Sequence, residues 1–153
     1  MDEEIKVVQQ LKHHRIVEYY GNSRTDRVLS LFIPYMEMGS LAKFMKSKPD
    51  ERLSECDTSM FTFQVLEGLD YLHKQSVIHR DIKGSNILML DAKNIKISDF
   101  GVAKILNTLS RAHTREKGSR NWMAPEMFQE EADYNIKVDI WSTILELSEP
   151  ILN

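Results

Sequence analysis

The residues that could do chemistry in this chain concentrate at positions 79–86, which read His-Arg-Asp-Ile-Lys-Gly-Ser-Asn. This stretch sets an acid, Asp81, a cation, Lys83, and an amide carbonyl, Asn86, side by side between two hydrophobic segments. A carboxylate can accept a proton, an ammonium group can offset negative charge, and carboxylate and amide oxygens suit hard cations. Any one of these residues alone is better explained as a polar group in a turn. The prediction of a catalytic loop therefore depends on the whole set.

Three motifs follow one another in order along the chain. The loop at 79–86 precedes Asp99-Phe100-Gly101, which precedes Ala124-Pro125-Glu126. Ordered motifs at these separations rarely arise by chance, and together they resemble the catalytic core of a eukaryotic-type serine/threonine protein kinase. The resemblance implies an α+β fold, a partial protein-kinase-like fold with a remnant of the small lobe (helix C and a β-hairpin) and a mainly helical, partial large lobe.

The resemblance implies a role for each chemical group of the loop. Asp81 is expected to accept or orient the proton of the substrate hydroxyl, and Lys83 to lie against the transferring phosphate. Asn86 and Asp99 are the expected Mg²⁺ ligands. The implied cofactors are ATP and Mg²⁺. Tyrosine kinases typically carry a small residue where this chain has Lys83, so the loop resembles the serine/threonine type. The predicted catalytic residues are Asp81, Lys83 and Asn86.

The segment 34–40 resembles the hinge between kinase lobes, where backbone groups hold the adenine of ATP. By that resemblance Ile33 is the gatekeeper, Pro34 offers a carbonyl, and Met36 offers both an N–H and a carbonyl. The missing N–H of proline does not forbid adenine binding, because only a carbonyl is needed there. The predicted ATP contacts are Pro34, Met36, Leu88, Lys83, Asn86 and Asp99.

Residues 102–121 are polar and basic and resemble an activation segment. Arg80 is implied to pair with a phosphorylated residue of that segment. Ser119 stands where serine/threonine kinases mostly have Thr, and it is implied to contact Asp81 and Lys83. Glu4 matches the glutamate of kinase helix C. The candidate regulatory residues are Glu4, Arg80, Thr108, Ser110, Thr114 and Ser119.

Two further runs narrow the resemblance. They are residues 82–86 and residues 118–126, and they resemble the Ste branch, the kinases that phosphorylate other kinases in mitogen-activated cascades. The implied partners are a protein substrate, expected to be a downstream kinase, and an upstream kinase or scaffold.

Apolar periodicity and turn residues predict the elements that position these groups. Ser54 and Asp57 resemble a capping pair at the start of a long helix, whose apolar residues recur at helical spacing. The predicted helices cover 2–11, 40–47, 54–74 and 136 to about 147. The predicted strands cover 15–20 and 27–33, turning at Gly21-Asn22, and 87–90 and 95–98, turning at 91–94.

The last predicted helix departs from the kinase pattern after Ser142, where the resemblance implies that about three residues are missing. The predicted boundaries are 1–33 for a partial small lobe, 34–40 for the hinge, 41–147 for a partial large lobe and 148–153 for a divergent tail.

The 153 residues contain neither a Gly-rich loop nor a Val-Ala-Ile-Lys strand, which in kinases position the phosphates. The expectation is a serine/threonine kinase by family, truncated at both ends, with little or no activity of this chain alone. The alternative is a catalytically inactive fragment that binds a partner or competes with a full-length relative. A purely structural domain is a weaker third hypothesis. Exposed apolar surface and poor solubility are also expected.

Composition gives no reason to expect nucleic acid or membrane partners. Twenty Lys and Arg balance 23 Asp and Glu, and no apolar run is long enough to span a bilayer or serve as a signal sequence. The single cysteine, Cys56, cannot form an internal disulfide and is expected to be an ordinary thiol. A reducing, cytoplasmic setting is predicted.

Overall fold

The computed structural model describes residues 9–25, 28–48, 53–105, 118–128 and 135–152. Residues 9 and 10 are helical, and helical turns of the 3₁₀ type cover Gly84–Asn86, Arg120–Trp122 and Pro125–Phe128. The α-helices bounded within the described residues are α1 (Leu41–Lys46), α2 (Glu55–Lys74) and α3 (Lys137–Leu152). The strands are β1 (Gly21–Arg24), β2 (Leu29–Phe32), β3 (Val77–Ile78), β4 (Ile87–Met89), β5 (Ile95–Ile97) and β6 (Lys104–Ile105). They pair antiparallel as β1–β2, β3–β6 and β4–β5.

The long helix α2 is the centre of the core. Its N-terminus is capped as predicted, because the Ser54 hydroxyl accepts a 3.0 Å hydrogen bond from the Asp57 amide. Gly68 lets the helix approach β5 closely: a Cβ there would lie 2.8 Å from the Ile97 Cδ1 atom. The predicted apolar stripe is confirmed, since each of its residues is fully buried: Phe61, Val65, Leu69 and Leu72.

The β4–β5 hairpin has the predicted turn. The Asp91 carboxylate accepts hydrogen bonds from the Lys93 and Asn94 amides at 2.8 and 2.9 Å, which closes the turn. Each strand is one residue shorter than predicted. Beyond the strands, the Ser98 amide donates to the Asn86 carbonyl at 2.8 Å, so the chain ends entering β4 and leaving β5 stay together.

The first hairpin is present, but its predicted register is wrong. β1 pairs with β2 from Gly21↔Phe32 to Arg24↔Leu29, so the turn lies after Arg24 rather than at Gly21-Asn22. The predicted strand at 15–20 contacts β5 instead, since Ile16 is buried and forms a parallel bridge with Ile97. The apolar alternation of this stretch therefore reflects tertiary contact rather than hairpin pairing.

The last helix is longer than predicted. α3 runs to Leu152, five residues past Leu147, and passes through Pro150. At its start, the Asn135 side-chain carbonyl accepts a 2.9 Å hydrogen bond from the Lys137 amide. In the described part of the chain, no helix combines the length and apolar character needed to cross a membrane.

Candidate functional site

The predicted catalytic loop begins at the end of β3 and is anchored from α3. Asp139, fully buried on α3, accepts a 3.0 Å hydrogen bond from the His79 amide and a 2.8 Å hydrogen bond from the Arg80 amide. Arg80 has φ 69°, a left-handed conformation that costs a non-glycine residue of order 1–3 kcal/mol. The two hydrogen bonds to one carboxylate hold this turn, which aims Asp81 away from α3.

Asp139 is not among the site residues predicted from the sequence. A third donor, the His73 Nε2 at the end of α2, lies 2.8 Å from the Asp139 Oδ2 atom. Asp139 thus joins α2, α3 and the loop. The sequence carried a signal for this role, because an acid between Val138 and Ile140 interrupts the buried apolar stretch of a helix, and buried carboxylates need hydrogen-bond donors.

His79 links the loop to the second motif. Its fully buried ring lies edge-on to Phe100, with centroids 5.0 Å apart. Its Nε2 lies 3.0 Å from the Ser98 carbonyl, and its Nδ1 accepts a 3.3 Å hydrogen bond from the Asp81 amide. This pattern assigns the proton to Nε2, which donates to Ser98. Burial lowers the pKa of His79, more than the nearby carboxylates raise it. The ring is therefore neutral at neutral pH.

The structure brings Asp81, Lys83, Asn86 and Ser119 together. The Asp81 Oδ2 atom lies 2.8 Å from the Lys83 Nζ and accepts a 2.9 Å hydrogen bond from the Asn86 amide nitrogen. The Asp81 Oδ1 atom accepts a 2.8 Å hydrogen bond from the Ser119 amide. The Lys83 ammonium also donates to the Ser119 hydroxyl at 2.6 Å. Four residues, 38 positions apart at the extremes, therefore form one hydrogen-bonded cluster.

The cluster keeps Asp81 ionised. Burial by itself would raise the pKa of the Asp81 carboxyl, but the hydrogen bonds from Lys83 and Ser119 outweigh burial and leave that pKa below its ordinary value. A carboxylate fixed by three donors is oriented as well as charged. It can accept a hydrogen bond from a hydroxyl that approaches its remaining lone pairs.

Asn86 and Asp99 lie at the same end of the β4–β5 hairpin. The Asn86 amide nitrogen donates to the Asp81 carbonyl and carboxylate, both at 2.9 Å, which turns its side-chain oxygen away from Asp81. Asp99 is exposed, and its Oδ1 accepts a long 3.3 Å hydrogen bond from the Gly101 amide. An amide oxygen and an exposed carboxylate are donors that Mg²⁺ prefers, so these two residues fit the ion that the resemblance implies.

The hinge residues meet the opposite end of β4. The Gly39 carbonyl accepts a 2.8 Å hydrogen bond from the Met89 amide, and Ser40 forms a bridge with Leu88. Met36 is buried, and its carbonyl accepts a 2.9 Å hydrogen bond from the Gly39 amide, which leaves one lone pair for another donor. β4 has three residues, so about 10 Å of strand separates the hinge contact from Asn86. Pro34 is half-buried beside these residues in sequence.

Arg80 faces the start of the predicted activation segment. Its guanidinium donates to the Val102 and Ala103 carbonyls and is buried. The other predicted regulatory positions, Glu4, Thr108, Ser110 and Thr114, lie outside the described residues.

The third motif packs beneath the loop. Ala124 is fully buried with Ile78 of β3 and Val138 of α3 in a small apolar cluster. The Trp122 carbonyl accepts a 2.7 Å hydrogen bond from the Ser142 hydroxyl of α3. Gly118 has φ 129°, and a Cβ there would lie 2.7 Å from the Arg80 carbonyl. Glycine is therefore required for Ser119 to reach Asp81.

Comparison with known proteins agrees with this geometry. The protein kinase domain family matches residues 1–149. The chain is 40% identical over 152 residues to Mitogen-activated protein kinase kinase kinase 3 of Mus musculus, covering 94% of the chain and 24% of that protein. It is 38% identical to Mitogen-activated protein kinase kinase kinase YODA of Arabidopsis thaliana, covering 97% and 17%.

A third relative, MAP3K epsilon protein kinase 1 of Arabidopsis thaliana, is 42% identical over 148 residues, covering 95% of the chain and 11% of that protein. The chain spans a quarter or less of the length of these relatives. The family match extends over nearly the whole chain, and the resemblance to the mitogen-activated kinase kinase kinases is confirmed. The chain belongs to the protein kinase domain family.

Proposed function

We propose that this chain is the catalytic segment of a serine/threonine protein kinase that transfers the γ-phosphoryl group of ATP to a hydroxyl of a protein substrate. The observation that carries the proposal is the ionised Asp81 carboxylate, held by Lys83, Asn86 and Ser119. Phosphoryl transfer needs an oriented nucleophile more than covalent help from the protein. Asp81 orients the substrate hydroxyl and takes its proton.

Lys83 supplies the positive charge of the site. Its ammonium lies between Asp81 and the Ser119 hydroxyl, within reach of a phosphate that approaches the carboxylate. A fixed cation there compensates the charge of the transferring group without reorganising during the reaction. Lys83 follows Asp81 by two positions, as in serine/threonine kinases, which supports Ser or Thr as the acceptor.

Asn86 and Asp99 would hold Mg²⁺, which would neutralise charge on the phosphates when bound. Leu88 and the backbone of Pro34 and Met36 would hold the adenine at the other end of β4. Because the Gly39 carbonyl binds the Met89 amide, the hinge and the metal ligands are held at the two ends of one strand.

The relatives carry the name mitogen-activated protein kinase kinase kinase, and this supports a downstream kinase as the protein substrate. We place the chain in the same kind of cascade, in the cytoplasm, with an upstream kinase or scaffold as a further partner.

Arg80 is the receptor for a phosphate on Thr108, Ser110 or Thr114, and Glu4 is the acidic partner for a strand lysine. The boundaries at 33/34, 40/41 and 147/148 separate the small-lobe part, hinge, large-lobe part and tail.

The test uses a chimera in which the Gly-rich loop and lysine strand of a kinase relative are fused in front of residues 1–153. The fusion is needed because residues 1–153 contain neither element, so we expect the chain alone to transfer little phosphate. The assay measures transfer of labelled phosphate from Mg-ATP to a protein substrate. Asp81→Asn should reduce the chimera's rate by a factor of about 10²–10⁴, the usual contribution of a general base. Phosphoamino acid analysis should find phosphoserine or phosphothreonine.

Asp91→Asn is the matched control, since Asp91 lies in the exposed β4–β5 turn and should leave the rate unchanged. A chimera that transfers phosphate equally well with Asp81→Asn would overturn the proposal.

A second candidate, a partner-binding or competing fragment, is supported by the exposed apolar side chains around the hinge. Tyr35 is 87% exposed and Phe32 is 51% exposed. Here the chimera would be inactive, and excess chain would reduce substrate phosphorylation by a full-length relative. Tyr35→Ser combined with Phe32→Ser should then relieve that inhibition.

A further inference from the structure

We propose that His13, His14 and Glu67 form a binding site for a divalent transition-metal ion, on the side of α2 that contacts residues 13–16. One ring nitrogen of each histidine and one carboxylate oxygen of Glu67 lie within 4.8 Å of one another. This site is separate from the Mg²⁺ ligands of the proposed kinase reaction and uses none of its residues.

The side chains are close to the geometry that such an ion needs. Two ligands of tetrahedral Zn²⁺, with bonds of about 2.0–2.1 Å, lie about 3.3 Å apart. The His14 Nε2 and the Glu67 Oε1 are already 3.1 Å apart. The His13 and His14 rings are neighbours, with centroids 4.3 Å apart, and one ring nitrogen of His13 lies within 4.8 Å of the other two ligand atoms.

Surrounding residues orient two of the three ligands. The Arg15 Nε donates a 2.8 Å hydrogen bond to the Glu67 Oε2, which leaves Oε1 directed at His14. The His13 ring stacks on Tyr71, with centroids 4.7 Å apart and an interplanar angle of 11°. Metal-binding carboxylates and imidazoles are usually held by such outer contacts, which lower the cost of ordering the ligands.

Hydrogen bonding leaves a ring nitrogen of His13 available as an acceptor. The His13 Nδ1 accepts a long 3.2 Å hydrogen bond from the Arg15 amide, so that nitrogen carries a lone pair. The cluster offers two imidazole rings and one carboxylate.

The donor types select the class of ion. Two imidazoles and one carboxylate suit Zn²⁺, Co²⁺, Ni²⁺ or Cu²⁺ better than Mg²⁺ or Ca²⁺, which prefer oxygen. Three protein ligands leave one position for water. The side chains of His14 and Glu67 are 60% and 31% exposed, so an ion can enter from solvent.

A bound ion would connect two parts of the chain. His13 and His14 precede the residue that pairs with β5, Ile16, whereas Glu67 lies in the middle of α2. The ion would fix this connection to the core helix. We therefore expect Zn²⁺ to raise the Tm of the chain, because a ligand that binds the native state stabilises that state by mass action.

In the experiment, ZnCl₂ is titrated into the chain and binding is measured by calorimetry. The Tm of the chain is measured at each ZnCl₂ concentration, and MgCl₂ is used in a parallel series. We expect one Zn²⁺ per chain, a rise in Tm with Zn²⁺ and none with Mg²⁺. Co²⁺ in place of Zn²⁺ should give the visible absorption of a four-coordinate ion. His14→Ala and Glu67→Gln should each weaken binding about tenfold or more and remove the Co²⁺ signal.

Three substitutions exclude other ligands. The background variant carries Cys56→Ser and His113→Ala, which remove the free thiol and a histidine outside the described residues, and it should bind Zn²⁺ as the wild type does. Glu55→Gln changes an exposed glutamate on the same helix, about 18 Å away at 1.5 Å per residue, and should have no effect.

Zn²⁺ binding that His14→Ala and Glu67→Gln leave unchanged, or binding lost in the background variant, would overturn the proposal. So would the absence of binding. His14 is exposed, so its replacement should not unfold the chain, and the apo Tm of each variant verifies this directly.

Discussion

The catalytic loop and the β1–β2 hairpin lie on either side of the hinge in sequence and are held in place differently. The loop is held by buried hydrogen bonds: Asp139 binds two of its amides, and His79 binds a third and the Ser98 carbonyl. In the β1–β2 hairpin, Asn22, Ser23 and Arg24 are exposed, and Phe32 is 51% exposed. Tyr35, which follows the hairpin, is 87% exposed. The position of the loop is therefore set by the core, whereas that of the hairpin is set mainly by backbone pairing.

The difference separates the groups proposed for phosphoryl transfer from the groups proposed to bind the base of the nucleotide. The groups proposed to orient a hydroxyl and compensate charge lie where burial excludes alternative conformations. Beside the groups proposed to hold adenine, the chain exposes the apolar side chain of Tyr35, whereas Met36 is buried. Poor solubility of the chain remains a prediction.

The largest contrast should appear on deleting an aromatic ring from each region. Phe61→Ala in α2 removes a fully buried side chain and should lower the free energy of unfolding by about 3–5 kcal/mol. Phe32→Ala removes a half-exposed ring and should cost about 0.5 kcal/mol or less. Urea denaturation followed by circular dichroism measures both. Equal losses would mean that the hairpin is packed as tightly as the core.

Removing the carboxylate beneath the loop should have the next largest effect. Asp139→Ala leaves the amides of His79 and Arg80 without their acceptor inside the protein, and it should cost about 3 kcal/mol. Asp139→Asn keeps one acceptor oxygen and should cost less. Asp70→Asn, an exposed acid on α2, is the matched control and should change stability by less than about 0.5 kcal/mol. An Asp139→Ala variant as stable as the control would contradict the anchoring role.

The smallest effect is a pH dependence that belongs to the loop. The pKa of His79 is lowered in the folded chain by burial, so below about pH 6.5 the unfolded chain binds a proton that the folded chain does not. Stability is complete above that pH and falls as pH decreases, by at most about 1.4 kcal/mol per pH unit for one group.

Urea midpoints at about pH 7.5 and pH 5.5 measure this loss. His79→Gln should reduce the slope. His13 has a pKa shifted in the same direction, so both measurements use a His13→Gln background. If His79→Gln leaves the dependence of stability on pH unchanged, that dependence comes from other titratable groups.

Local patterns predicted much of the fold. The cap at Ser54, the buried face of α2 and the turn at Asp91 were correct, because each depends on neighbours within one helix or one turn. The predicted strand at 15–20 was assigned the wrong partner, because Ile16 pairs with Ile97, a residue 81 positions away. Periodicity cannot distinguish a strand paired within a hairpin from one that is buried by a distant segment.

The site shows the same division. The loop motif predicted Asp81, Lys83 and Asn86, and the resemblance of residues 118–126 implied Ser119. The fold brings all four into one cluster. Asp139 was not selected, since its role depends on contacts across 60 residues that no local spacing reveals. The roles assigned to all of these residues in phosphoryl transfer remain predictions that the chimera tests.

The strand β4 fixes the distance between the hinge and Asn86. Its amide at Met89 is fixed to the hinge at Gly39, and its first residue follows Asn86, so three residues define one length. A nucleotide that fits the proposed site must match that length. Substitutions of the Leu88 side chain should change which base fits, whereas inserting or deleting one residue in the strand would move the base relative to the phosphates by about 3.3 Å. Such a length change should be far more damaging than any single side-chain replacement along the strand.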